Sequence, residues 1–180
     1  GAFALDANTT ASYNTAVGYN SLTANTTGSS NSALSHNCLA ANTTGSQNIA
    51  IGQGAMFVNT TGQQNVGIGS GALDANTTAS YNTGIGSGAL GANTTGANNV
   101  GVGYNTLSTN TTAGNCTAIG ANALATSTGG QNTAVGTSAM VSNTTGNHCV
   151  AVGKDSLLTQ TTGSSNVAVG VSSLKLTTTG

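Results

Sequence analysis

Asn-Thr-Thr, followed by Gly or Ala, returns along this chain at Asn8, Asn25, Asn42, Asn59, Asn76, Asn93, Asn110 and Asn143, and the copies from Asn8 to Asn110 lie 17 residues apart without a slip. A fixed short period over a whole chain means that one small unit is stacked many times, each copy burying its apolar face against the next. One unit runs from Thr15 to Asn31, and its residues define repeat positions 1 to 17. Gly1 matches Gly18, Leu5 matches Leu22, and the chain closes inside a unit at Thr179-Gly180. The expectation is one array over residues 1–180, roughly ten and a half coils, cut as a window from a longer fibre. The single irregularity lies between Leu124 and Thr128, where Thr126-Ser127 replaces Asn-Thr, Thr128 takes position 13, and the unit has 16 residues. A missing residue there predicts a loop.

Two columns are apolar in every unit. Position 3 holds Val17, Leu34, Ile51, Ile68, Ile85, Val102, Ile119, Val135, Val152 and Val169. Position 8 holds Leu5, Leu22, Leu39, Met56, Leu73, Leu90, Leu107, Leu124, Met140, Leu157 and Leu174. These columns are the expected core. It has to be thin, because the chain is 3% aromatic and 3% charged, with 27 Gly and no Trp or Pro, and lacks the large side chains of an ordinary globular interior. Such a composition by itself reads as disorder. A disordered linker, however, has no reason to hold a branched aliphatic at one fixed position.

Positions 1 to 3 are short and rich in β-branched residues, position 2 is always Ala or Gly, and position 4 is Gly in every unit except at Ser35. That pattern describes a strand closed by a turn that needs glycine's backbone freedom. Two apolar columns five residues apart do not supply a helical stripe. The fold class is therefore all-β, a parallel β-solenoid (β-roll) of 17-residue coils, stacked about 4.8 Å apart into a rod about 50 Å long.

The polar columns then acquire roles. Asn at position 11 and at position 17 (Asn14, Asn31, Asn48, Asn65, Asn82, Asn99, Asn132, Asn166) is expected to form amide ladders, each side chain donating to its stacked copy. Thr fills position 13 throughout in this frame, and its methyl is expected to pack and its hydroxyl to bond along the stack. Position 14, Gly or Ala, predicts a second tight turn. Cys116 and Cys149 replace Asn at position 17 two coils apart, about 9.6 Å by strand spacing and beyond the reach of a disulfide. With Cys38 they read as small buried fillers. Tyr13 and Tyr81 share position 16, and Tyr19 and Tyr104 share position 5; they read as surface aromatics, with a sugar-stacking platform as the alternative.

Chemistry is poorly supplied. Asp6, Asp74, Asp155, Lys154, Lys175, His36 and His148 occupy scattered positions, so no acid, base and nucleophile can be grouped into a catalytic site. The chain is expected not to be an enzyme and to need no metal or other cofactor. Calcium-binding solenoids require an acidic residue in each coil. A net charge of −1 gives no attraction to nucleic acid, no apolar run is long enough to span a membrane, and no signal peptide is visible. Asn-Thr-Thr is also the acceptor sequence for N-glycosylation, which makes the eight asparagines above, from Asn8 to Asn143, candidates for glycan attachment or for an exposed ladder; the alternative is a structural corner.

In the strands Ile49-Ala50-Ile51, Val150-Ala151-Val152 and Val167-Ala168-Val169 both faces are apolar, and a strand apolar on both sides is buried on both. One small coil covers one face, so the other is expected to pack against a second copy of the chain. The runs Val150 to Leu157 and Val66-Gly67-Ile68-Gly69-Ser70-Gly71-Ala72-Leu73 resemble the head-domain repeats of trimeric autotransporter adhesins of the YadA type. The same repeats, with their Asn-Thr-Thr-Gly segments, are similar to those of phage tail-fibre-like proteins. The adhesin resemblance implies a left-handed roll, three chains side by side as a homotrimer, and a role in reaching a surface. The adhesin unit is about three residues shorter and lacks the Asn-Thr-Thr insertion. The functional expectation is the structural shaft of an extracellular, cell-surface or virion fibre, continued end to end. Its partners are further copies of itself and, as a further possibility, surface glycans. Alternatives are an ice-binding solenoid with a Thr/Asn array and a glycan-displaying filament.

Overall fold

The structure, a computed structural model, describes residues 1–179. It is a β-solenoid whose coils each contribute one strand of three residues: β1 (Thr15–Val17), β2 (Ser32–Leu34), β3 (Ile49–Ile51), β4 (Val66–Ile68), β5 (Thr83–Ile85), β6 (Val100–Val102), β7 (Thr117–Ile119), β8 (Thr133–Val135), β9 (Val150–Val152) and β10 (Val167–Val169). They form a single parallel sheet in chain order. The register pairs equivalent repeat positions, for example Thr83 with Val100, Gly84 with Gly101 and Ile85 with Val102.

Each strand stops at position 4, where φ runs from 117° at Gly120 to 138° at Gly136, a range that L side chains rarely adopt. The next coil is also close. A Cβ on Gly86 would stand 2.3 Å from the carbonyl oxygen of Gly103. Positions 6 and 16 are left-handed as well; position 6 carries residues suited to it, such as Asn20, Asn105 and Gly71, while position 16 mixes Asn98 with Gln64 and Tyr81. Position 8 is not so suited: Leu22, Leu39, Leu73, Leu90, Leu107, Leu124 and Leu157 all have φ between 48° and 55°. A left-handed non-glycine residue costs about 1–3 kcal/mol, and burying a leucine returns about 1.5–3 kcal/mol. Burial therefore holds the strained turn in place.

The interior corrects one expectation. Position 8 is inside, with Leu22, Leu39, Leu73, Leu90, Leu107, Leu124 and Leu157 all 0% exposed. Position 3 is not. Val17, Ile51, Ile85, Ile119, Val152 and Val169 are exposed, and Ile68, Val102 and Val135 are half-buried. The residue that points inward is the small one at position 2: Ala33, Ala50, Ala118, Ala134 and Ala151 are fully buried. The reason is width. The leucine of one coil reaches beneath the strand of the next, so that a Cβ on Gly84 would lie 3.3 Å from Leu73 Cγ and one on Gly67 would lie 2.9 Å from Met56 Cγ. Only Ala or Gly fits beside it, and the alternation of side chains along a strand then turns positions 1 and 3 outward.

The corners are polar and paired. At position 11 a carboxamide ladder runs through seven coils: Asn25 Nδ2 donates to Asn8 Oδ1 (3.1 Å), Asn42 to Asn25 (2.8 Å), Asn59 to Asn42 (2.9 Å), Asn76 to Asn59 (2.8 Å), Asn93 to Asn76 (3.3 Å) and Asn110 to Asn93 (3.2 Å). Each of these donors also gives a bond to the carbonyl three residues on, as Asn59 does to Gly62. Position 17 works differently from the expected side-chain ladder. Its Oδ1 accepts the backbone N–H of the next coil, as Asn31 accepts from Asn48, and its Nδ2 donates to a position-14 carbonyl, as Asn48 does to Gly62.

The Thr columns also need correction. Position 12 bonds along the stack, Thr26 Oγ1 donating to the Thr43 carbonyl at 3.1 Å and Thr43 to that of Thr60 at 3.1 Å. Position 13 is exposed, at Thr27, Thr44, Thr61, Thr78 and Thr95. In the short unit Ser127 is buried and accepts Asn143 Nδ2, which places it at position 11, and Thr128 donates to the Thr144 carbonyl as a position-12 residue. The residue that this coil lacks is therefore the exposed one at position 13. At position 14, Gly45 and Gly62 are required by space rather than by a left-handed turn: a Cβ on Gly45 would meet the Gly62 oxygen at 2.4 Å.

Candidate functional site

The largest feature left without a partner inside the chain is the outward face of the strand sheet. Ten in-register strands line up column 3 as a continuous file of Val, Leu and Ile, with Val17 58% and Leu34 41% exposed. Column 1 runs beside it and mixes Ile49, Val66, Val100, Val150 and Val167 with Thr15, Ser32, Thr83, Thr117 and Thr133. By strand rise and spacing the stripe covers about 400 Å², a size at which exposed apolar patches mark interaction sites.

The asparagines proposed for glycans are closed. Asn25, Asn42, Asn59, Asn76, Asn93, Asn110 and Asn143 are 0% exposed and Asn8 is half-buried; the Nδ2 that a sugar would occupy already donates, in the ladder from Asn25 to Asn110, to Ser127 Oγ at Asn143 and to the Ala11 carbonyl at Asn8. In the folded coil the seven buried asparagines are structural corners and do not form an exposed array. Asn59→Ala is expected to cost about 1–3 kcal/mol, because it leaves Asn42 Oδ1 and Asn76 Nδ2 each short of a buried bond; urea unfolding followed by circular dichroism checks it. An unchanged midpoint would contradict the ladder.

The three cysteines are buried and free. Cys116 and Cys149 keep the bonds of the asparagine they replace, their N–H donating to Asn99 and Asn132 and their thiols to the carbonyls of Gly129 and Gly163. Cys38 Sγ lies 2.8 Å from the Gly52 carbonyl oxygen. Burial pushes the Cys38 and Cys116 thiols up, so both stay protonated at pH 8 and are poor nucleophiles. Iodoacetamide at that pH is expected to leave both unlabelled in the native protein and to label them after denaturation, as read by intact mass.

The aromatic residues do not gather into one platform. Tyr19 stacks on His36 at 5.5 Å and meets Phe3 edge-on at 5.7 Å, at one end of the stack. Tyr13, Tyr81 and Tyr104 are exposed elsewhere. Among the described residues no three His, Cys, Asp or Glu side chains are grouped to hold a metal, and no helix is long and apolar enough to cross a membrane.

A parallel β-solenoid with hydrogen-bonded polar corners and an apolar outer stripe is thus the class of protein that the geometry defines. No protein-family model matches the chain, and no curated protein or solved structure matches it either.

Proposed function

We propose that the chain is a stretch of shaft from an extracellular or virion fibre, in which copies lie side by side as a homotrimer with their strand sheets facing a common axis. The observation that carries this reading is the aliphatic file at position 3, exposed in seven of ten strands and half-buried in the other three although it never admits a polar residue. Parallel rods of equal pitch bring each stripe against its equals along the whole length, which closes the assembly under cyclic symmetry and removes the stripe from water. The left-handed winding and the part in surface adhesion belong to the same proposal and rest on the resemblance to YadA-type repeats.

Size-exclusion chromatography with light scattering tests it. The wild-type chain is expected at three times its 17.2 kDa, and Ile51→Asp/Ile85→Asp/Ile119→Asp, which places carboxylates in the stripe, is expected to run as one folded chain. A wild-type monomer at micromolar concentration would falsify the assembly. Ice binding is the second reading, favoured by the exposed single file of Thr27, Thr44, Thr61, Thr78 and Thr95; a monomer that shapes ice crystals would place it first.

A further inference from the structure

Three successive glycines, Gly54, Gly71 and Gly88, interrupt a position-6 column that carries Asn20, Asn37, Asn105 and Asn122 in the flanking coils and Ser138, Asp155 and Ser172 further on. An asparagine in this column lies over the coil before it: a Cβ on Gly88 would sit 2.5 Å from Asn105 Oδ1. Where the following coil has glycine instead, that cover is absent, and a Cβ on Gly54 or Gly71 would meet no atom within 4 Å. The result is a pit of about 300 Å³ across the coils of β2, β3 and β4. It lies past the position-4 turn, off the strand face, and does not depend on lateral assembly.

The lining is specialised in several ways at once. Phe57 stands in the pit wall at position 9, 39% exposed, in a column where neighbouring coils carry Thr23, Ala40, Gly91 and Ser108. Asp74 follows it in the same column and lines the same pit, with its carboxyl pushed up by partial burial. Gln53 and Ser70 add an amide and a hydroxyl. Asn37 closes the pit on the β2 side.

We propose that this pit is a binding site for a neutral sugar. A pyranose ring has an apolar C–H face, which suits the Phe57 ring, and a rim of hydroxyls, which suits a carboxylate and carboxamides set around it. A volume of about 300 Å³ is at the lower end of small-molecule sites, room for one or two rings. Asp74 is the sole charged residue of the lining, so acidic sugars are repelled.

Saturation-transfer NMR on the wild-type protein tests the site, with glucose, galactose and N-acetylglucosamine as probes and N-acetylneuraminic acid as the acidic control. Transfer is expected to the ring C–H protons of at least one neutral sugar, with a dissociation constant on the order of 1 mM, and none to the acidic one. Gly71→Asn refills the pit with the native residue of other coils. Gly71 has φ 65° and Asn37 has φ 60°, so the variant should keep its circular dichroism and unfolding midpoint. It should nevertheless lose affinity by about tenfold or more, as should Phe57→Ala. The proposal is overturned by an absence of transfer to all three neutral sugars, by transfer that persists undiminished in folded Gly71→Asn, or by a preference for the acidic sugar. Wild-type binding as a monomer would leave the sugar site standing while removing the trimer, so the two readings fail separately.

Discussion

Leu90→Asp is expected to leave the chain unfolded at room temperature, whereas Ile85→Asp, five residues earlier, shifts the urea midpoint of the single chain only slightly. Leu90 is 0% exposed and Ile85 is 37% exposed. At position 90 the variant removes a buried aliphatic, costing about 2–5 kcal/mol, and leaves an unpaired buried charge, costing about 3–5 kcal/mol more. Together these match the whole stability of an ordinary domain, about 5–15 kcal/mol. At position 85 the carboxylate reaches water directly, and what is lost is the preference of a β-branched residue for a strand, within about 1 kcal/mol. The comparison belongs at concentrations low enough that assembly does not contribute to the midpoint. If Ile85→Asp unfolded the chain and Leu90→Asp did not, the inside and outside of the coil would have to be exchanged.

Gly86→Val should be the most disruptive change outside the interior. Valine at φ 130° carries backbone strain of about 1–3 kcal/mol. Its Cβ would also stand 2.3 Å from the Gly103 oxygen, so the next coil has to move away, at a further cost of about 1–3 kcal/mol. The stack transmits that shift, because Gly103 is bonded back through its N–H to the Ile85 carbonyl at 2.7 Å. Gly86→Ser is the control. Serine already stands in this column at Ser35 with φ 131°; it shares the Cβ and the backbone strain but not valine's branch at that carbon, so Gly86→Ser should unfold between the wild type and Gly86→Val. Thermal unfolding of the two variants side by side decides the point, and equal midpoints would show that the turn is more pliant than its geometry implies.

The period, the parallel register, the leucine column and the paired asparagines were all legible in the sequence, because each is enforced identically in coil after coil. The inversion of the strand was not. Both of its faces are apolar, and hydrophobicity alone cannot say which is inward; side-chain size can. An interior already occupied by Leu73 or Leu90 admits only Ala or Gly at Gly84 or Gly101, so the unbroken smallness of position 2 was the available signal. The Thr columns misled for a related reason, since two adjacent threonines have the same composition and opposite roles, and removing either leaves the same string of letters around Ser127. The bonds from Asn143 to Ser127 and from Thr128 to Thr144 fix the frame. The left-handed backbone at Leu90 had no signal at all, because leucine is among the last residues that local preference would place there. The pit at Gly71 was hidden in plain view: three glycines in one column are unremarkable as letters and become a recess only when the neighbouring asparagine is seen to cover its predecessor.

The short coil also changes the way the corners of the rod are tied. The carboxamide ladder that rises from Asn8 stops at Asn110, whose Oδ1 turns back to accept the Ala113 N–H of its own coil. The threonine bonds that join Thr94 to Thr111 and Thr128 to Thr144 have no counterpart between Thr111 and Thr128 among the described residues. At that level the coils are joined by the strand pairing of β6 with β7, by backbone bonds such as Thr109 N–H to the Ala125 carbonyl, and by the hydroxyls of Ser108 and Thr109, which both donate to that same carbonyl in place of the missing corner. Along a filament, this level divides a block of seven coils tied by stacked carboxamides from a shorter block in which hydroxyl donors such as Thr126, Thr128 and Thr144 bridge the coils.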